Sequence, residues 1–317
     1  MKIVSSASIS GRHITELKNR FGSLDISVYK HMGEAEAELP GAEILITYGE
    51  DLTSELLEKD CRALKWIMVV SAGLEKLPWD TLRERGILVT NARGIHKGPM
   101  SEYTLGVILQ VARKSPQLFL KQRQKNWDRT IRVDEIDGKT LGILGAGSIG
   151  QEIARKAKVF GMKTLGLNKS GRPVEHFDHM FSGKDLHQVL RESDFVVVVV
   201  PLTGETHHLL GTTEFEVMKE SACLINISRG DVVDEQALIA AVRNKKIAGA
   251  VLDVFSREPL PVDSPLWDLE GVIITPHLSG RSHLYMERAM EIFGHNLEVY
   301  LRGQGEMRNV IDLARGY

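Results

Sequence analysis

The stretch GILGAGSIGQEIARKAKVFGMKTLGLNKSGRP, residues 142–173, decides how this chain folds. An apolar run leads into Gly145-Ala146-Gly147-Ser148-Ile149-Gly150, which matches G-x-G-x-x-G after a strand pattern and at the opening of a helical one. Each glycine has a task. Gly145 allows the tight turn, Gly147 lets the backbone approach a pyrophosphate, and Gly150 lets helix and strand pack closely. The N–H groups and dipole of the helix start, at Ser148 and Ile149, favour an anion. Out of context the pattern is weak; between a strand and a helix it reads as a dinucleotide-binding turn.

Further along the same stretch a second strand should end near Asn168. In the usual unit a carboxylate stands there, roughly 20 residues past the glycines, and holds the adenosine ribose. Here the place is taken by Asn168, Lys169, Ser170 and Arg172. A carboxylate would repel a 2′-phosphate by about 4 kcal/mol per unit charge at about 4 Å and an effective dielectric of about 20. Its absence lifts that repulsion. Asn168 and Ser170 can donate hydrogen bonds, and Lys169 and Arg172 can offer charge-assisted ones. The expected cofactor is NADP(H) in preference to NAD(H), with NAD(H) still open. The competing reading makes Lys169 and Arg172 a solvated loop.

Working outward, short apolar runs alternate with helical patterns, the signature of βαβ units. A chain of 317 residues exceeds what one core usually serves, so two domains are expected. The first hundred residues give strands at KIVSS, DISVY, EILIT, WIMVV and ILVTN, with TSELLEKD as a helix before the fourth. Residues 96–127 open with Pro99 near a helix start and read as one long amphipathic connecting helix. A second series follows: KTLGILG, MKTLGLN, FVVVVVP, ACLINIS, AGAVLDVF and VIITPH, six strands of a doubly wound sheet. The last helix, SHLYMERAMEIFGHNLEVYLRG, has an apolar stripe and no strand of its own domain to serve. The expected fold class is therefore α/β, with two Rossmann-like or flavodoxin-like domains of parallel sheets flanked by helices and an active-site cleft between them. Residues 1–97 plus 284–317 form a discontinuous substrate domain around a dinucleotide-binding domain at 98–283.

Composition narrows the partners. A formal charge of -2 with interspersed signs leaves no basic stripe, so neither nucleic acid nor a membrane surface is an expected partner. Two cysteines, Cys61 and Cys223, are too few for a disulfide framework and point to a reducing cytoplasm. The opening MKIVSSASIS reads as a first strand, not a leader. His207 and His208 are adjacent and therefore point different ways, with no cysteine or carboxylate spacing beside them, so no metal site is expected.

Three further stretches fall at strand ends: NISRGDVVDE, DVFSREPLP and TPHLSG. With the glycine turn and the discontinuous plan, they closely resemble the D-specific 2-hydroxyacid dehydrogenases. The resemblance covers essentially the whole chain and is strongest over residues 138–280. It implies that Arg229, Glu258 and His277 are the catalytic set. Their chemistry suits the task. Reduction of a 2-oxo acid needs a proton donor that recharges near neutral pH, which histidine supplies. A carboxylate on the other ring nitrogen fixes the tautomer and favours the imidazolium, the role of Glu258. The Arg229 fork can grip a carboxylate, polarise the adjacent ketone and stabilise the developing oxyanion. Singly, each has a plain alternative as a surface ion pair, a loop residue or a structural histidine.

The resemblance implies more. Ser71, Ala72 and Gly73 in VVSAG match a loop whose backbone N–H groups hold the substrate carboxylate; Leu74-Glu75 follows where the family usually has an aspartate two residues after the glycine. Asp253 matches the contact to the nicotinamide carboxamide, Pro201 and Thr206 line the cofactor groove, and Gly280 closes the last motif. Tyr48 either faces the substrate or is an ordinary half-exposed tyrosine. Arg281 either reaches the cleft or faces solvent, and His96 and Lys97 have no assigned role. Residues 100–134 resemble the family's dimerisation element, which implies a homodimer with Trp127 at its interface. The expected reaction is hydride transfer between NAD(P)H and a small 2-oxo acid such as glyoxylate or hydroxypyruvate, giving the D-2-hydroxy acid. A formate dehydrogenase would carry glutamine in place of Glu258, and a long phosphoglycerate dehydrogenase a further regulatory domain. The alternative class is a cofactor-sensing, corepressor-like binding protein.

Overall fold

The computed structural model describes residues 1–22, 24–59, 61–71, 73–74 and 76–314. The chain divides into two compact units, Met1–Ile95 with Ser282–Tyr317, and His96–Arg281. In the first unit, strands β1 (Lys2–Ser5), β2 (Asp25–Val28), β3 (Ile44–Thr47), β4 (Trp66–Val69) and β5 (Leu88–Asn91) form a parallel sheet in the order β2-β1-β3-β4-β5. That is the flavodoxin-like order. β3 and β4 are buried along their whole length, as continuous apolar strands of a covered parallel sheet must be. The helix Tyr285–Arg302 packs on one face of this sheet: Phe293 stacks on Trp66 with centroids 5.2 Å apart, and Tyr300 lies 5.5 Å from the same indole. Trp66 is fully buried, and its Nε1–H donates to Thr90 Oγ1 at 2.9 Å, so the large ring leaves no unpaired donor in the core.

The second unit holds β6 (Thr140–Leu144), β7 (Lys163–Asn168), β8 (His179–Ser182), β9 (Phe195–Val198), β10 (Cys223–Asn226), β11 (Gly249–Leu252) and β12 (Val272–Ile274) in the order β12-β11-β10-β9-β6-β7-β8. All neighbours are parallel. Counted along the chain this is 3-2-1-4-5-6-7, the doubly wound order with one strand added, and the order reverses between β6 and β9. Ligands of such sheets gather outside the strand ends at that reversal.

Two expectations change. The sheet has seven strands, not six. The added β8 is a short edge strand in which only Phe181 is buried, so it shows no hydrophobic alternation. The long helix is two: Lys97–Ala112 and Ser115–Arg123, broken where Lys114 takes a left-handed φ of 53°. A non-glycine residue in that region ends a helix, and Pro116 then opens the next in its first turn. The fourth strand's preceding helix is Ser54–Glu58, capped by the Thr53 hydroxyl, which accepts from the Leu56 N–H at 3.2 Å. Among the described residues no helix is long and apolar enough to cross a membrane, and no group of His, Cys, Asp or Glu could hold a metal.

Candidate active site

The glycine turn sits at the reversal of the second sheet. Gly145 has φ of 113°, and a Cβ on it would meet the Val199 carbonyl oxygen at 2.7 Å, just past the end of β9. A Cβ on Gly150 would lie 2.1 Å from the Gly145 carbonyl oxygen, closer than any real contact. Both positions need glycine, and for the reasons the motif predicts. Gly147 opens the helix Ser148–Val159, whose first turn receives no side-chain cap. Its Cβ position is open, so backbone rather than side chain faces the space before Ser148 and Ile149. Uncapped N–H groups at the positive end of a helix suit a dinucleotide's pyrophosphate.

Asn168 ends β7 and closes its side chain on its own loop. Its Oδ1 accepts from the N–H groups of Ser170 (3.1 Å) and Gly171 (2.6 Å) and from the Ser170 hydroxyl, while its Nδ2 donates to the Arg172 carbonyl at 3.0 Å. Asn168 and Ser170 thus spend their hydrogen bonds on shaping the loop. The overlooked β8 takes part, since Ser182 pairs with both Asn168 and Ser170. Arg172 is exposed, whereas Lys169 is bound to Glu205 through both carboxylate oxygens, at 2.9 and 3.0 Å. With side chains 84% and 73% exposed, that pair is weak enough to exchange for a stronger anion. Across the reversal, the Thr206 hydroxyl donates to the Pro201 carbonyl at 2.6 Å and accepts from the Thr203 N–H at 2.8 Å, which closes the 201–206 turn.

The three expected catalytic residues follow the ends of the adjacent strands β10, β11 and β12. His277 Nδ1 is 2.8 Å from Glu258 Oε2, with side chains 51% and 36% exposed. The other Glu258 oxygen accepts the Phe255 N–H at 3.1 Å, which fixes the carboxylate from behind. His277 stands in a left-handed conformation with φ of 54°, and its own N–H is held by the Asp253 carbonyl at 2.9 Å. A non-glycine residue held there costs about 1–3 kcal/mol, a recurrent property of functional sites. Arg229 is exposed, and its Nη1 donates to the Ser228 carbonyl at 2.9 Å. Asn226 braces that loop, accepting from Ser228 and donating to the Arg229 carbonyl at 3.0 Å.

Asp253 is fully buried. Its carboxylate accepts from the Leu278 N–H at 2.8 Å, the Ser279 N–H at 2.9 Å and the Thr275 hydroxyl, so it organises the turn that carries His277. Among the described residues Oδ2 accepts one N–H, that of Ser279, and it retains acceptor capacity for a carboxamide. His96, unassigned from sequence, places Nδ1 3.3 Å from the Gly280 carbonyl. Burial pulls its pKa down, the Gly280 carbonyl works against that, and the Arg229 charge lowers it further. Gly230 was also missed. A Cβ on it would meet the Phe255 carbonyl carbon at 1.9 Å, so glycine is what lets the Arg229 loop lie against the segment leading to Glu258. A glycine directly after a strand-end arginine was its only sequence signal.

In the first unit the Ser71 hydroxyl donates to the carbonyls of Gly73 (3.1 Å) and Tyr48 (3.3 Å), tying the turn after β4 to the one after β3. Ala72 and Glu75 lie outside the described residues. Tyr48 is 41% exposed, and Lys97 and Arg281 are exposed.

Residues 105–279 match the family model described as D-isomer specific 2-hydroxyacid dehydrogenase, NAD binding domain. The chain belongs to the D-isomer specific 2-hydroxyacid dehydrogenase family. It is 34% identical over 270 residues to a glyoxylate reductase of Thermococcus litoralis, covering 83% of this chain and 81% of that one. It is 32% identical over 292 residues to a D-3-phosphoglycerate dehydrogenase of Methanocaldococcus jannaschii, of whose length it spans 54%, with 89% of this chain covered. A crystal structure of a D-isomer specific 2-hydroxyacid dehydrogenase from Xanthobacter autotrophicus, in complex with NADPH and MES, superposes with a TM-score of 0.83 at 28% identity, covering 100% of this chain and 99% of that one. Family membership accounts for the order of the second sheet and implies a nicotinamide cofactor.

Proposed function

We propose that this chain reduces a small 2-oxo acid of the glyoxylate or hydroxypyruvate type to its D-2-hydroxy acid, using NADPH in preference to NADH. The observation that carries the reading is the His277–Glu258 hydrogen bond of 2.8 Å at the end of β12, beside the strand ends that carry Arg229. The dinucleotide, when bound, supplies the hydride. His277 gives the proton to the carbonyl oxygen from Nε2, because Nδ1 faces Glu258, and the carboxylate stabilises the imidazolium that must re-form after each turnover. Arg229 aligns the substrate carboxylate and stabilises charge developing on the oxygen. Backbone donors at Ser71 and Gly73, with Ala72 between them, receive the same carboxylate, and Tyr48 faces the substrate side chain.

Gly145, Gly147, Ser148, Ile149 and Gly150 hold the pyrophosphate, and Pro201, Thr206, Asp253 and Gly280 contact the rest of the cofactor. The case for NADPH rests on the missing carboxylate at Asn168 and on Lys169 and Arg172 in the loop it shapes. The NADPH complex of the Xanthobacter relative agrees with it. Two buried free thiols fit a reducing cytoplasm, and the exposed Leu118, Phe119, Leu120 and Trp127 give a second copy of the chain a surface to cover in a homodimer.

A panel of 2-oxo acids assayed with NADPH and NADH tests the assignment. Turnover of glyoxylate or hydroxypyruvate with higher kcat/KM for NADPH is expected, and His277→Ala should lower kcat about 10²–10⁴-fold while leaving cofactor affinity within about twofold. Preference for NADH would overturn the cofactor assignment. Binding of the dinucleotide without turnover of any 2-oxo acid would favour a cofactor-sensing protein instead.

A further inference from the structure

The turn that carries His277 is tied from below to the helix Lys97–Ala112 by a chain of side-chain hydrogen bonds. The Tyr103 hydroxyl lies 2.7 Å from Thr275 Oγ1, and Thr275 Oγ1 in turn bonds Asp253 Oδ1. A proton inventory fixes the direction. A carboxylate only accepts, and the other partners of Asp253, the N–H groups of Leu278 and Ser279, only donate. The single Thr275 proton therefore goes to Asp253, and Thr275 Oγ1 must accept from Tyr103. Burial pushes the Tyr103 pKa up to about 12, which keeps that proton in place at working pH.

We propose that Tyr103 is a positioning residue for the reaction: through Thr275 it holds the Asp253 carboxylate, and through that carboxylate the backbone at Leu278 and Ser279 on which His277 is presented to Glu258. The geometry makes the tyrosine more than filling. His277 sits in a left-handed conformation that its surroundings must enforce, and Asp253 is the side chain that grips the residues directly after it. A second tie, from His96 directly before the same helix to the Gly280 carbonyl, holds the far end of the turn, so Tyr103 and His96 bracket it. Removing the tyrosine hydroxyl leaves Thr275 Oγ1 without its donor and frees the threonine to rotate away from Asp253. The expected defect is in geometry at His277, with cofactor and substrate binding largely preserved.

The catalytic half of this inference rests on the proposed reductase activity; the structural half does not. Tyr103→Phe and Thr275→Val should each lower kcat about 5- to 20-fold, with KM and the NADPH dissociation constant within about twofold. The primary isotope effect from deuterated NADPH should rise on kcat as the chemical step becomes limiting. Thr275→Ser, which keeps the hydroxyl, should recover most of the loss. Hydrogen–deuterium exchange read by mass spectrometry supplies an arm that needs no turnover: a peptide spanning residues 275–281 should exchange at least threefold faster in Tyr103→Phe. Wild-type kcat in Tyr103→Phe with only a lowered melting temperature would overturn the catalytic role and leave a packing residue. Unchanged exchange over 275–281 would overturn the relay itself. If the wild-type chain turns over no 2-oxo acid, the proposed function fails, and the exchange result still decides whether Tyr103 holds the turn.

Discussion

In the first unit β1 runs into Ser6 and Ala7, and the chain enters a helix at Gly11, where an added Cβ would meet nothing within 4 Å. In the second unit β6 runs into Gly145 and enters a helix at Ser148, and there an added Cβ at Gly145 or Gly150 would strike backbone. The first loop closes on itself, with the Ser5 hydroxyl donating to the Ala7 carbonyl at 2.7 Å and accepting the Ala7 N–H at 3.2 Å. Neither helix start is capped by a side chain. Both sheets are parallel and both begin with strand, turn and helix, so topology alone supplies two places for a nucleotide. What separates them is the space made by omitting side chains. Binding capacity in such folds is a property of one turn, not of the sheet.

The comparison breaks most visibly at Gly150. Gly150→Ala places a methyl where the Gly145 carbonyl stands and should push helix Ser148–Val159 away from β6. Overpacking of a buried contact costs about 1–3 kcal/mol, and the displaced N–H groups should weaken NADPH binding by more than tenfold. Thermal unfolding reads the first loss, and calorimetric titration of NADPH into the folded variant reads the second. Wild-type affinity would mean that the turn does not carry the cofactor.

Asn168 sharpens the same comparison at the second strand. After β2 in the first unit, the Lys30 N–H is held at 3.1 Å by Glu34, a carboxylate where a phosphate would be unwelcome. After β7 the corresponding N–H groups close on the neutral Asn168. Asn168→Asp keeps those acceptors but turns a charged oxygen on the Arg172 carbonyl and on any bound 2′-phosphate. The ratio of kcat/KM for NADPH over NADH should fall about 10-fold or more. An unchanged ratio would place discrimination elsewhere in the loop.

How much of this could be read from the chain depended on range. The glycine turn was legible because its demands are local: three glycines at fixed spacing, of which Gly145 and Gly150 are required by backbone a few residues away or by the neighbouring strand, while Gly147 leaves open space at the helix start. The apolar strands were legible through continuous β-branched runs. The edge strand β8 was not, since an edge buries one residue, Phe181, and edges carry no alternation when short. Nor was the break at Lys114, where a lysine adopts a conformation usually left to glycine. At the site, Glu258 and His277 were reached through the family resemblance, whereas Thr275, though it opens TPHLSG, meets Tyr103 across 172 positions, and Tyr103 belongs to no motif. Gly230 reads as an ordinary turn glycine until the Phe255 backbone is seen lying against it.

The smallest expected effect tests the quiet side of the comparison. Gly11 begins the helix Gly11–Phe21 with open space around its Cβ position, and it is not among the glycines that hold a positive φ. Alanine is therefore compatible with the native backbone there and restricts the unfolded chain more than glycine does. Gly11→Ala should stabilise the protein by about 0.5 kcal/mol, raising the melting temperature by about 1–2 °C, and leave NADPH affinity unchanged. A loss of stability would show that the turn after β1 also depends on an absent side chain. A loss of NADPH affinity would go further, since it would tie the first unit to the nucleotide and remove the asymmetry on which the comparison of the two sheets rests.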